Sequence, residues 1–200
     1  MMSTIIIGMI VIILLGLYGL DLVKNRLTTK QMVIVAMMAA VSFVLGMIKI
    51  VQLPQGGSIT LFSTLPIIVV GMVYGRTAGL TCGLVSAVLS LMTGSGFIHP
   101  VQIFLDYIMG TMALGLAGTF GSDTKVKMVC GTLLVAILNW FSHYLSGVVF
   151  YGQYADGMNV HLYSAIYNFF GSGVEGLVTC FVIVLVPMAT LKKHITGATA

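Results

Sequence analysis

Residues 101–120 read VQIFLDYIMGTMALGLAGTF, a run that is apolar except near its start. About 20 apolar residues are enough for a helix to cross the hydrocarbon core of a bilayer. Asp106 places a carboxylate inside this run, and a carboxylate at membrane depth costs several kcal/mol unless it has a partner. The stretch therefore predicts a membrane helix that carries a functional site at Asp106.

The composition of the whole chain extends this prediction. The chain is 58% hydrophobic and 7% charged, and its mean hydropathy is +1.10. These values exclude an ordinary soluble domain and indicate a polytopic helical membrane protein. The net charge of +4 does not indicate nucleic-acid binding, because the basic residues are spread thinly over several loops.

Seven apolar segments can be drawn along the chain. They are Thr4–Leu20, Met32–Val51, Ile59–Tyr74, Ala78–Met92, Val101–Phe120, Val126–Phe150 and Leu162–Leu191. The third and fourth are short, which predicts a tightly packed helical pair. We expect an extra N-terminal transmembrane helix in residues 1–26, a six-helix core in 29–193 and a cytoplasmic tail in 194–200.

The loops differ in charge, and this difference predicts the orientation. The basic residues between or after segments are Lys24, Arg26, Lys30, Arg76, Lys125, Lys127, Lys192 and Lys193. The alternate loops, 52–58, 93–100 and 152–161, contain no Lys or Arg. By the positive-inside rule the basic loops and the C-terminus are cytoplasmic, and the N-terminus lies outside.

Polar residues recur at helical spacing in the last three segments. The three stripes are Gln102, Asp106 and Gly110; Asn139, His143 and Ser146; and Ser164, Asn168, Gly171 and Glu175. At 1.5 Å per residue, Asp106, His143 and Asn168 lie roughly 8, 12 and 9 Å below the outer ends of their segments. The stripes therefore predict one outward-opening pocket. Glu175, roughly 20 Å deep, is expected to make a structural hydrogen bond or ion pair outside this pocket.

The chemistry of this pocket favours a flat cationic or heteroaromatic ligand. A carboxylate, an imidazole and an amide are joined by aromatic candidates, which are Tyr107, Tyr151, Tyr163 and Trp140. Aromatic faces with a carboxylate attract a cation by stacking and cation–π interaction. Two other interpretations remain open: Asn139, Ser142 and Ser146 as interhelical hydrogen-bonding groups, and Asp106 with His143 as a buried pair without a ligand.

Other function classes find less support in the sequence. A secondary transporter predicts internal repeats and further midplane charges, which are not visible. An intramembrane hydrolase would use Ser95 or Ser146 with His143, but nothing couples Ser95 to a base. Cys82, Cys130 and Cys180 lie singly in apolar runs, which indicates three buried thiols with neither a disulfide framework nor metal-ligand spacing. No metal or cofactor site is predicted.

The motifs resemble a known family. They are LPQGGS at 53–58, LPI at 65–67, GRTAG at 75–79, HPVQ at 99–102, LDY at 105–107, His143, SG at 146–147, YGQYA at 151–155, GMN at 157–159, LYS at 162–164 and YN at 167–168. This set resembles the thiamine-specific S-component of energy-coupling-factor (ECF) vitamin transporters, over about residues 29–193.

The resemblance implies a six-helix subunit that binds thiamine near the outer surface and performs no reaction itself. The family's ligand-binding positions match Asp106, Tyr107, His143, Tyr151, Tyr163 and Asn168. The family's docking face for the transmembrane coupling subunit matches Ala36 and Ala40. ATP hydrolysis would come from two partner ABC-type ATPases, since the chain has no Walker A loop. The bacterial plasma membrane is the expected location.

Two positions depart from the family pattern. Asp106 stands where some members carry Glu, and Tyr151 stands where Trp is familiar. A shorter carboxylate and a smaller stacking surface can alter the affinity or shift the preference toward a thiamine precursor or analogue. The N-terminal helix lies outside the family core.

Overall fold

A computed structural model of the chain describes residues 2–93 and 99–196, with side chains described in 6–93 and 99–193. Its helices are α1 (Met2–Lys24), α2 (Thr29–Met47), α3 (Leu65–Tyr74), α4 (Arg76–Met92), α5 (Pro100–Phe120), α6 (Lys125–Phe150), α7 (Val160–Leu185) and α8 (Met188–Thr196). In this described part, five helices (α1, α2, α5, α6 and α7) are long and apolar enough to cross a membrane. The predicted all-α membrane fold, with six core helices after an extra one, is confirmed.

The end of the second predicted segment forms a β-hairpin rather than helix. β1 (Lys49–Gln52) pairs antiparallel with β2 (Ser58–Thr60), so that Gln52 faces Ser58. The sequence explains the change, because β-branched residues precede a Pro-Gln-Gly-Gly turn in which Gln55 and Gly56 have positive φ angles of 56° and 91°. The predicted helix Met32–Val51 is therefore wrong beyond Met47.

The last predicted segment is also interrupted. α7 ends at Leu185, and α8 begins at Met188. Val186 adopts an extended conformation with ψ 123° because it precedes Pro187, a position that disfavours helical geometry. The described part of α8 packs against α3.

Small residues bring α3, α4 and α5 into backbone contact. A Cβ atom added at Gly115 on α5 would lie 2.1 Å from the carbonyl carbon of Gly79 on α4. A Cβ added at Gly83 would lie 2.5 Å from the Thr111 carbonyl oxygen. Glycines at these contacts therefore allow the helix backbones to approach closely. Around these contacts, the core is apolar and includes Ile67, Ile68, Val70, Cys82, Leu114 and Val135.

The exposure of the cysteines differs from the prediction. Cys82 is buried, Cys180 is partly buried and Cys130 is exposed. Cys130 lies on the side of α6 that faces away from the bundle. Being inside an apolar run does not determine which side of a membrane helix a residue occupies, because the lipid-facing side is apolar as well.

Two helices contain wider π-helical turns. In α5 the π-helical stretch is Ile103–Met109, and in α7 it is Phe169–Gly173. The Ser142 hydroxyl of α6 donates to the Leu105 carbonyl at 2.7 Å, which satisfies an acceptor in the first of these stretches. π-helical turns inside α-helices occur frequently at functional sites.

Candidate functional site

A cavity of about 780 Å³ lies between the hairpin and the core helices. This volume lies within the ~300–1,000 Å³ range of typical small-molecule sites. The structure brings all six predicted ligand-binding residues to its wall. They are Asp106, Tyr107, His143, Tyr151, Tyr163 and Asn168.

Asp106 lies in the π-helical stretch of α5, and three side chains hold its carboxylate. Oδ2 accepts hydrogen bonds from Ser146 Oγ at 2.8 Å and from Gln102 Nε2 at 3.1 Å, and Oδ1 lies 3.1 Å from His143 Nδ1. The Asp106 side chain is 18% exposed and that of His143 is 27% exposed. The carboxylate is thus fixed in place and still borders the cavity.

Gln102 links this carboxylate to the aromatic wall. Its Nε2 atom also donates to the Tyr151 hydroxyl at 2.7 Å. Tyr151 directly follows the last residue of α6, and burial raises the pKa of its phenol, although the hydrogen bond from Gln102 acts in the opposite direction. The neutral phenol can both donate and accept a hydrogen bond at neutral pH.

The opposite wall belongs to α7. Asn168 Nδ2 donates to the carbonyl and hydroxyl oxygens of Ser164 at 2.9 and 3.2 Å. The Tyr163 and Tyr167 rings stack with centroids 5.9 Å apart, and the Tyr163 hydroxyl is 3.4 Å from Gln55 Oε1 of the hairpin turn. Asn168 retains its Oδ1 oxygen as an acceptor for a ligand in the cavity.

The hairpin forms a wall that the sequence did not predict. Tyr167 contacts its turn, accepting from Gly57 N at 3.0 Å and donating to the Pro54 carbonyl. Glu175 holds the other end of the hairpin. Its carboxylate accepts hydrogen bonds from the Thr60 backbone N–H at 3.1 Å, from the Thr60 hydroxyl at 2.8 Å and from Ser63 Oγ at 3.0 Å. The β-branched pair Ile50 and Val51, followed by the turn residues 54–57, is the signal that could have indicated this hairpin.

Glu175 corrects one prediction and confirms another. The expected structural hydrogen bond is confirmed, but the residue also lines the cavity from which its depth was thought to exclude it. The cavity extends further along α7 than the outer layer, because the hairpin enters the bundle beside α2 and α7. Depth along one helix does not measure how far a space between helices reaches.

The charges around the cavity favour a cation. The described lining residues include two carboxylates, Asp106 and Glu175, and one ammonium group, Lys49. With His143 neutral, this set has a formal charge of −1. A cleft with excess negative charge and aromatic walls attracts a flat cation.

Comparison with known proteins identifies the family. The sequence model described as Thiamine transporter protein (Thia_YuaJ) matches residues 32–195. The thiamine transporter ThiT of Bacillus subtilis is 32% identical over 154 residues, which are 69% of this chain and 80% of that protein. The chain belongs to the thiamine transporter protein family. The resemblance drawn from the sequence motifs is confirmed at this level.

Other members of the thiamine transporter family agree with this assignment. ThiT of Lacticaseibacillus paracasei is 33% identical over 127 residues, which are 57% of this chain and 63% of that protein. A solved structure of ThiT from Listeria monocytogenes superposes with a TM-score of 0.71 at 24% identity, covering 82% of this chain and 96% of that one. This likeness shows the fold. Because the family is a transporter family, the chain is a multi-pass membrane transporter and not an enzyme.

Two interpretations drawn from the sequence are wrong: Trp140 as an aromatic wall residue, and Ser146 as a nucleophile. Trp140 does not line the cavity: its indole N–H donates to the Ala165 carbonyl at 3.3 Å, and its ring stacks on Tyr144. Ser146 donates to Asp106. It is therefore not arranged as a nucleophile activated by His143. Ser95 lies outside the described residues.

Asn139 and Ser142, the two remaining candidates for hydrogen bonding between helices, have different roles in the structure. Asn139 lines the cavity, where its Nδ2 lies 3.2 Å from the position of a Cβ added at Gly110. Ser142 makes the interhelical bond to α5. Among the described residues, no group of three or more His, Cys, Asp or Glu side chains is placed to hold a metal ion.

The residues matched to the docking face lie apart from the cavity. Ala36 and Ala40 are exposed on α2, one helical turn from each other, whereas Ala39 between them is buried. Large exposed side chains, among them Met37 and Val44, continue this side of α2. The helix therefore presents two small residues within an otherwise bulky apolar surface.

Proposed function

We propose that this chain binds thiamine at the cavity and acts as the substrate-binding subunit of an ECF-type importer. The observation that supports this most is Asp106, held at the wall of an aromatic cavity in a member of the thiamine transporter family. Thiamine combines a permanently cationic thiazolium ring with an aminopyrimidine ring. A fixed carboxylate and stacking side chains suit both features.

Each wall residue has a proposed role. Asp106 neutralises the thiazolium charge or accepts a hydrogen bond from the exocyclic amine. His143 and Tyr151 stack on the rings, with Tyr107 beside the carboxylate. Tyr163 and Asn168 supply polar contacts from α7. The Asn168 amide oxygen can accept a hydrogen bond from a substituent on one ring of thiamine, which would favour thiamine over an analogue that lacks this donor.

Asp106 and Tyr151, the two departures from the family pattern, bear on which ligand the cavity prefers. The carboxylate of an Asp reaches one methylene less far into the cavity than that of a Glu. A Tyr ring offers less stacking area than a Trp ring. Thiamine is the proposed ligand, and its precursors and analogues are the compounds to compare with it.

The proposed partners and orientation follow from the α2 surface and the loop charges. Ala36 and Ala40 would dock a transmembrane coupling subunit, which carries two ABC-type ATPases. Residues 29–193 would form the binding core in the bacterial plasma membrane. Helix 1–26 would enter from outside, and residues 194–200 would lie in the cytoplasm.

Vesicle uptake tests whether transport requires the proposed partner proteins. Labelled thiamine uptake is measured in vesicles that contain this chain alone, and in vesicles that also contain the coupling subunit, the ATPases and ATP. We expect ATP-dependent uptake only with the full set of proteins. Concentrative uptake by this chain alone, driven by an ion gradient, would instead indicate a secondary transporter.

A further inference from the structure

α1 lies outside the part of the chain that the family defines. The family match begins at residue 32, after α1 ends at Lys24. Residues 6–24 are strongly apolar, and on one side of the helix large side chains, including Ile12, Leu20 and Val23, are exposed. α1 is therefore an appended membrane helix whose other side packs on the core.

Polar contacts attach the C-terminal end of α1 to α4. Asp21 Oδ1 lies 2.5 Å from Arg76 Nη2, and its Oδ2 accepts from Thr77 Oγ1 at 2.6 Å. One turn earlier, the Tyr18 hydroxyl is 2.9 Å from Thr81 Oγ1. The Asp21 side chain is 12% exposed. Because apolar contact gives little net driving force between helices in lipid, these polar contacts determine where α1 sits.

The same helix contacts the segment that carries the ligand-binding carboxylate. α1 packs against Pro100–Gln102 and against the π-helical stretch Ile103–Met109 of α5. Val11, near the middle of α1, is 3% exposed. α1 therefore runs from the turn between α3 and α4 to the part of α5 that contains Asp106 and Tyr107.

We infer that α1, anchored by Asp21, holds the π-helical stretch of α5 in its ligand-binding position. A π-helical turn departs from the regular hydrogen-bond pattern and depends on its neighbours to fix it. On the side of α6, Ser142 supplies one such contact through Leu105. α1 supplies packing on another side. Asp21 is thus a positioning residue for thiamine binding, an inference that rests on the proposed function.

The test compares the full-length chain with Asp21→Ala and with the charge exchange Asp21→Arg/Arg76→Asp. Isothermal titration calorimetry with thiamine gives Kd and the number of sites per chain. We expect Asp21→Ala to raise Kd by about three- to tenfold with an unchanged number of sites. The charge exchange should return Kd to within about threefold of the wild type, because it restores the ion pair although not the hydrogen bond from Thr77.

Trypsin reports whether α1 has detached. Lys24 ends α1 and Arg26 lies in the linker before α2, which begins at Thr29. Cleavage after these two residues, distinguished by mass spectrometry from cleavage at the arginine introduced at position 21, should become faster in Asp21→Ala and return to the wild-type rate in the exchange variant. Asp123→Ala is the matched control, since it removes an exposed ion pair, Asp123–Lys127, that belongs neither to α1 nor to the cavity wall. Its Kd should equal that of the wild type.

Four outcomes separate the possibilities. The inference is overturned if Asp21→Ala is cleaved faster in the linker but binds thiamine with an unchanged Kd. It is also overturned if the cleavage rate of Asp21→Ala equals that of the wild type. If Asp21→Ala loses sites through misfolding, the exchange variant decides: a wild-type site number with a Kd raised more than threefold contradicts the anchoring role. A wild-type chain that binds no thiamine refutes the proposed function instead.

Discussion

Asp106→Asn is the substitution with the largest expected effect on ligand binding. It keeps the size of the side chain and removes its charge. The carboxylate is only 18% exposed, so bulk water screens it weakly. Two unit charges about 4 Å apart interact by about 4 kcal/mol at an effective dielectric constant of about 20.

Part of this energy is offset by removing the cation from water. We therefore expect Asp106→Asn to weaken thiamine binding by about 2–4 kcal/mol, which raises Kd roughly 30- to 1,000-fold. The local hydrogen bonds can survive, because an Asn amide oxygen at the Oδ2 position accepts from Ser146 and Gln102, and the NH₂ group then faces His143 Nδ1, which accepts in one neutral tautomer. The substitution therefore tests the charge itself.

The assay is calorimetric titration with thiamine in detergent or nanodiscs. Asp156→Asn is the matched control, because Asp156 is exposed on the loop before α7 and its positive φ of 46° is tolerated by Asn. It removes the same charge away from the cavity and should leave Kd within about twofold of the wild type. A Kd for Asp106→Asn within threefold of the wild type would refute charge recognition by this residue.

Three other substitutions test the hairpin, the packing and the docking face. Glu175→Gln removes a charged acceptor of three hydrogen bonds and should lower stability by about 1–3 kcal/mol, measured as a lower thermal unfolding temperature; an unchanged temperature contradicts this. Gly115→Ala puts a methyl group against the backbone of Gly79, so we expect a loss of about 2 kcal/mol or more, or no folded protein in size-exclusion chromatography. Ala40→Leu should leave thiamine Kd within about twofold while reducing uptake with the coupling proteins at least about tenfold. Equal uptake would exclude this face as the docking site.

Much of the helical architecture could be predicted because membrane helices leave a strong pattern in the sequence. A run such as 101–120 has both the length and the composition of a span. Asp106, His143 and Asn168 could be assigned to one pocket because residues three or four apart share a helix face and polar faces avoid lipid. The structure brings these three side chains to one cavity.

The hairpin could not be predicted in the same way. Lys49–Gln52 continues the apolar run of α2, so its composition fits either a helix or a strand. What selects the strand is a set of long-range contacts, from Thr60 to Glu175 and from Gly57 to Tyr167. Such contacts join residues more than 100 positions apart, and no local pattern contains them.

The most direct test of the central claim is thiamine binding by the purified wild-type chain. Calorimetric titration in nanodiscs should give saturable binding of one thiamine per chain with a Kd below micromolar. A competitor in which a neutral ring replaces the thiazolium cation should bind much more weakly. The absence of saturable thiamine binding below micromolar concentration, or equal affinity for the neutral competitor, would contradict a site built to recognise this cation.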